Sequence, residues 1–129
     1  FELVINNGVA TLTCVGNDYL KSITITYPFV FKETTTVDLS NTGGLKVEGT
    51  TGEYEGLSID ATTGKLADNN GGWVQVNTGT VISMNVLENA QISWVAYSSE
   101  ANFELVINNG VATLTCVGND YLKSITITY

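Results

Sequence analysis

The residues best placed for acid–base work are two glutamates, Glu53 and Glu55, on either side of Tyr54 in the run GEYEG. A carboxylate pair can act as general acid and as nucleophile or base on a glycosidic bond. Here the two alternate with a tyrosine along one short segment, which reads as a solvated face. The sequence has no histidine, so neither a Ser-His-Asp nor a Cys-His set can be assembled. It has no arginine either, so it lacks the bidentate clamp for phosphate or carboxylate. These residue types predict a chain without catalytic activity.

Binding chemistry has better candidates. Aromatic rings stack on pyranose faces while amide and carboxylate side chains bond the hydroxyls. The rings to consider are Trp73, Tyr54, Trp94 and Tyr97. Trp73 follows the polar loop Asp68–Gly72, and Gln75 and Asn77 continue its side of a strand. The candidate saccharide set is therefore Trp73, Gln75 and Asn77, with Tyr54, Asn69 and Asn70. The competing reading packs Trp73 in or over the core. In QISWVAYS, Trp94 shares a face with Ile92 and Ala96 and belongs to the core. No cofactor is expected, with Ca²⁺ as the one open option. Asp60, Asp68 and Asn69 could offer it oxygen ligands. The EF-hand spacing is missing, and turn chemistry accounts for these Asx-Gly clusters without an ion.

Charge narrows the partners. Five lysines face 13 acidic residues, for a net charge of −8. Nucleic-acid binding rests on clustered cations, so it is excluded as an expectation. Anionic membrane surfaces are disfavoured for the same reason. No apolar run approaches the ~18 residues of a spanning helix, so no membrane insertion is expected. Neither a signal peptide nor an initiating Met is visible, which suggests a processed piece.

The elements that must carry these residues are strands. Helical periodicity is nearly absent, and short β-rich runs alternate with Gly/Asn/Asp turns about every ten residues. FELVI, NNG and VATLTCV form a hairpin with Asn-Gly at its turn. In YLKSITITY, Leu20, Ser22, Thr24 and Thr26 are read on one face, with Tyr19, Ile23, Ile25 and Tyr27 mostly on the other. Lys21 breaks the apolar face. Pro28, the only proline, should interrupt sheet pairing. Further strands are read in FVFKETTTVDL, LKVEG, LSIDA, WVQVN, TVISMNV and QISWVAYS. The run Thr62–Gly72 is taken as the longest polar loop. The expected fold is all-β, an antiparallel two-sheet sandwich, jelly-roll-like, with about nine strands.

The most informative feature is a duplication. Residues 1–27 and 103–129 are the same 27 letters, FELVINNGVATLTCVGNDYLKSITITY, at an offset of 102. A hairpin plus one strand cannot hold a core of its own. One copy therefore completes the fold, and the unit is either 1–102 or 28–129. The second framing is preferred. The chain stops where another Pro28 would begin, and the connection Ser98–Asn102 into FELVI is short. On this reading 28–129 is one complete unit, and 1–27 is the closing segment of a preceding unit or a donor segment. Identity at surface positions such as Glu2, Asp18 and Lys21 fits a tandem array, an engineered overlap, or a segment used twice for strand exchange. The assembly junction would use Phe1, Leu3, Ile5, Leu12, Ile23, Ile25, Tyr27 and Pro28. The duplication leaves one cysteine per copy, Cys14 and Cys116, which is read as a buried, inert thiol, with a link between repeats or chains as the alternative.

Three runs carry a resemblance. GLSIDATTGKLADNNGGWVQVNTGT (Gly56 to Thr80), QISWVAYSS (Gln91 to Ser99) and CVGNDYLKSITITY (Cys116 to Tyr129) resemble a β-sandwich module of secreted bacterial proteins. Such modules are often appended, singly or in tandem, to pectate-lyase-like and other plant-polysaccharide-degrading enzymes. They share an (L/I)xIDAxxGK stretch, a WVQ(V/F)NxGT strand and a closing GNxYLxSIxV strand, in this order. The resemblance covers most of 28–129. It implies an extracellular or cell-surface, non-catalytic module, associated with carbohydrate by context. The leading expectation is a structural unit whose partners are other copies of itself, joined end to end into a fibre, stalk or surface array. The alternative is a carbohydrate-binding module with polysaccharide as its partner.

Overall fold

A computed structural model describes residues 1–26 and 34–129. The sequence-predicted junction residues Tyr27 and Pro28, and with them the interruption expected at Pro28, lie outside the described residues. The chain is all-β and antiparallel. Among the described residues there is no α-helix, and Glu100–Asn102 forms a single 3-10 turn. The strands are β1 (Glu2–Asn6), β2 (Val9–Thr13), β3 (Thr34–Asp38), β4 (Lys46–Glu48), β5 (Thr51–Tyr54), β6 (Leu57–Asp60) and β7 (Lys65–Asp68). They continue as β8 (Val74–Val76), β9 (Val81–Asn85), β10 (Gln91–Ala96), β11 (Phe103–Asn108), β12 (Val111–Cys116) and β13 (Asp120–Thr128).

Among the described residues these strands form three sheets. A five-stranded sheet runs β11-β12-β9-β6-β5. A six-stranded sheet runs β10-β13-β8-β7-β4, with β3 also paired to β13. The hairpin β1-β2 is a two-stranded sheet on its own. Inward side chains of both large sheets meet in one hydrophobic cluster. Leu57, Ile59, Ile82, Met84 and Leu114 come from the five-stranded sheet, and Leu66, Val74, Val76, Leu122 and Ile125 from the six-stranded one. At ~25 cal/mol per Å² of apolar surface removed from water, this burial is the main force holding the two sheets.

The expected count of about nine strands is corrected to eleven, β3 to β13, for residues 34–129. The two missed strands are β5 and β7. The first carries Gly52 and Glu53, and the second falls within the run 62–72 that composition marks as a polar loop. Each is only four residues long. Pairing with a neighbour, β6 for the first and both β4 and β8 for the second, makes them strands where their composition does not.

A second correction concerns the closing strand. Leu122 is buried together with Ile125 and Ile127, two positions of one parity and one of the other. The pairing moves from Val95↔Ser124 to Ala96↔Leu122, which leaves Lys123 as an extra residue with no partner on β10. Such a bulge reverses the in–out alternation. The reading that sets Leu20 on the face opposite Ile23 and Ile25 is thereby corrected for the packed copy, where Leu122 is buried with Ile125 and Ile127.

Candidate functional site

Two places merit a functional reading. The first is the outer face of the six-stranded sheet. Val74 and Val76 point into the core, so Trp73, Gln75 and Asn77 share the opposite face. Gln75 stands opposite Tyr121 in the ladder, and its side-chain amide donates to Asn77 Oδ1 at 3.2 Å. Tyr97 bridges the aromatics. Its ring meets Trp73 edge-on at 5.4 Å and Tyr121 at 6.0 Å. The bulge aims Lys123 onto this face, with Nζ 5.9 Å from the Trp73 ring centre. Tyr97 is 67% exposed, and Trp73, Gln75 and Tyr121 are half-buried. Trp73 is outside the core cluster, whereas Trp94 packs against it and donates through Nε1 to the Glu100 carbonyl at 3.3 Å.

Of the saccharide set read from sequence, the structure brings together Trp73, Gln75 and Asn77. Asn69 and Asn70 form the adjacent loop, which closes through Asn69 N–H to the Trp73 carbonyl at 3.2 Å. Tyr54 stands elsewhere, on β5 of the five-stranded sheet, half-buried against the core. Tyr121 and Lys123 were missed. The sequence signal for them was present in YLK, but only the ladder shows that this strand lies beside WVQ.

The oxygen-bearing candidates accept hydrogen bonds from the loops around them. Asp60 accepts from the Thr62 N–H at 3.0 Å and its hydroxyl at 2.8 Å. Asp68 accepts from Asn70 N–H, Gly44 N–H and the Thr42 hydroxyl at 2.8, 3.0 and 3.1 Å. Backbone donors come first among the causes that hold both carboxyls below their ordinary value. Asn69 Oδ1 accepts from Gly71 N–H at 2.8 Å. Asp60 and Asp68 stand on different sheets, and among the described residues no three His, Cys, Asp or Glu converge.

The second place is the duplicated segment. In the second copy, β12 pairs with β9, and β13 lies between β10 on one edge and β8 and β3 on the other. Phe103, Leu114, Cys116, Leu122, Ile125 and Ile127 are all buried. In the first copy every residue from 1 to 26 is exposed. Phe1, Leu12, Ile23 and Ile25 show 44, 40, 65 and 68% of their surface, against 4, 0, 0 and 8% for their counterparts Phe103, Leu114, Ile125 and Ile127. Leu3 and Ile5 are exposed too, but Ile107, the counterpart of Ile5, stays exposed in the packed copy. Ile5 is thus a surface position in either setting. The inert-thiol reading fits Cys116, whose thiol is pushed up by burial and by the Asp120 charge, while Cys14 lies exposed.

The first copy nonetheless keeps the local form of the second. Its ladder runs Glu2↔Thr13 to Asn6↔Val9, and the packed ladder includes Glu104↔Thr115 to Asn108↔Val111. The turns match, with φ of 49° and 78° at Asn7 and Gly8, and 50° and 77° at Asn109 and Gly110. Left-handed conformation at both central residues is what a two-residue hairpin requires. Even the cysteine contacts agree: Cys14 Sγ to the Gly16 carbonyl and Cys116 Sγ to the Gly118 carbonyl are both 3.1 Å. Compared with protein-family models, with curated proteins and with solved structures, the chain matches none.

Proposed function

We propose that this chain is a non-catalytic, extracellular structural unit that joins end to end with other copies of itself through the FELVI…SITITY segment. Residues 28–129 form the unit, a two-sheet sandwich of jelly-roll kind. The shared core of the two large sheets supports that architecture. One observation carries the joining. Phe103, Leu114, Leu122, Ile125 and Ile127 are buried at one end of the chain, and their counterparts Phe1, Leu12, Leu20, Ile23 and Ile25 are exposed to solvent at the other. An exposed apolar segment of this size marks an interaction site, and its sequence is already matched to a body of this kind. In a neighbour, it would take the place of residues 103–129, whose release would offer the next junction. A head-to-tail contact that does not close grows as a filament. The full chain should therefore form concentration-dependent oligomers by light scattering and periodic polymers in electron micrographs. The chain lacking residues 1–27 should stay monomeric. Equal polymerisation of that shorter chain sinks the reading.

A second reading is favoured by a separate observation, the Trp73–Tyr97–Tyr121 group on an outer sheet face. Such a surface suits a polysaccharide chain, with Gln75 and Asn77 as hydroxyl partners. This reading predicts retention on a polysaccharide column that survives removal of residues 1–27. Trp73→Ala should abolish it, since it removes both the ring's buried area and the stacking contribution of about 0.5–1.5 kcal/mol beyond that area. Unchanged retention of Trp73→Ala rules this reading out.

A further inference from the structure

We infer that the two copies compete for one slot within a single chain, so that the molecule exists as two permuted isomers. In one, residues 103–129 close the fold and 1–26 hang free. In the other, 1–27 close it and 103–129 hang free. The inference rests on the reading that the first copy completes a body of this kind, not on which molecule supplies that body.

Three observations carry it. First, the register places the closing strand's end beside the beginning of β3. Thr128 stands opposite Thr34, and Ile127 opposite Thr35. Thr26 is the first-copy equivalent of Thr128, and seven residues, 27–33, separate it from Thr34. Paired Cα atoms lie about 5 Å apart. Seven residues span more than about 20 Å when extended. The first copy can thus enter the slot from the N-terminal side and reach β3 as an antiparallel hairpin. Chains whose ends meet in this way tolerate permutation.

Second, nothing in the slot distinguishes the copies. Every side chain that β9, β10, β8 and β3 meet in 103–129 has an identical counterpart in 1–27. Asp18 would take the bonds that Asp120 accepts from Ser98, Ser99 and Asn102. Tyr19 and Lys21 would replace Tyr121 and Lys123 beside Trp73 and Tyr97. The isomers differ only in the connection, residues 97–102 in one and 27–33 in the other. Closure cost grows slowly with loop length, so loops this similar leave the two nearly balanced.

Third, the free copy is already shaped for the slot. Its hairpin has five of the six rungs of the packed ladder and the same turn, so docking has to add the rung between Phe1 and Cys14 and order residues 18–26 as a strand. Because β13 lies between paired strands on both edges, exchange after folding requires opening the six-stranded sheet. The choice is made during folding, and the first copy, synthesised before the body, is available to it first.

The cysteines report the isomer. In the full chain, at concentrations where light scattering shows monomers, iodoacetamide labelling is followed by tryptic digestion. Lysines at 21, 65 and 123 place Cys14 in peptide 1–21 and Cys116 in peptide 66–123, two distinguishable masses. Partial label on both peptides, summing to about one per chain, is the expected result. Label on Cys14 alone overturns the inference. Ile125→Asp makes the test independent of spontaneous opening. That variant should stay folded, with Cys14 protected and Cys116 reactive, while Ile23→Asp combined with Ile125→Asp loses the fold. Melting of Ile125→Asp must be independent of concentration. If the single variant melts like the double one, or folds only at high concentration, the intramolecular exchange is wrong. Two-site labelling in a chain that never polymerises keeps this inference and removes the joining function. Polymers from a chain that labels only at Cys14 do the reverse.

Discussion

Asp120 is a carboxylate with only 3% of its surface exposed, held where β10, β13 and the 3-10 turn converge. Burial pushes its pKa up, but Asn102 Nδ2 and the N–H groups of Ser99, Tyr121 and Ser98 outweigh that and hold it below the ordinary 3.8. All four donors lie within 2.7 to 3.0 Å. A carboxyl whose folded pKa is depressed stabilises the fold fully above its unfolded value and loses that contribution as pH falls through the folded one. Asp38, Asp60 and Asp68 are lowered as well, chiefly by bonds from Ser40, Thr62 and Asn70, and they act in the same direction. The melting temperature should be level above about pH 5 and fall progressively below it. Asp18→Asn with Asp120→Asn, which removes the buried carboxyl from either copy, should flatten part of that slope. An unchanged acid limb would show that the buried site does not titrate with folding.

The β6–β7 connection shows how an element is fixed by a contact from far along the chain. Thr80, fully buried at the start of β9, donates to the Lys65 carbonyl at 3.1 Å and accepts from its N–H at 2.9 Å. This binds the first residue of β7 to the other large sheet. The approach leaves no room at Gly64, where a methyl group would come within 2.8 Å of the Thr80 backbone nitrogen. Gly64→Ala should cost about 1–3 kcal/mol, the range for overpacking, measured by denaturant titration. Gly43→Ala is a poor control because φ is +70° there, but Gly16→Ala meets nothing within 4 Å and should be neutral to the fold that residues 103–129 close; at the counterpart Gly118 a methyl group would meet Asn102. Elements with strong periodicity were legible in sequence, among them FELVI, VATLTC, VISMN and QISWVA. The weak ones, β5 and β7, become strands through their neighbours. The bulge at Lys123 was illegible because alternation alone cannot reveal a residue that the partner strand skips.

At the scale of the whole molecule, one segment serves as its own comparison. Residues 18–26 and 120–128 have the same propensities, the same flanks on the N-terminal side and the same preceding hairpin. The second set is a nine-residue strand and the first is not. The hairpin forms in both because its Asn-Gly turn and cross-strand pairs are local. The long strand forms only where β10, β8 and β3 supply ladder partners and a core to bury its apolar side chains. The aromatic group on the outer face follows the same rule. Two strands, β8 and β13, and the β10–β11 connection contribute to it, so it exists only once the closing segment is docked.

The sequence by itself determined the strand-rich class, the hairpin with its Asn-Gly turn, the acidic character and the repetition, since all are written in local periodicity, counts and identity. Tertiary structure decided which copy is buried, which residues reach one face and where the alternation slips. These depend on partners distant in the chain, and two identical stretches of sequence carry no letter that could separate them.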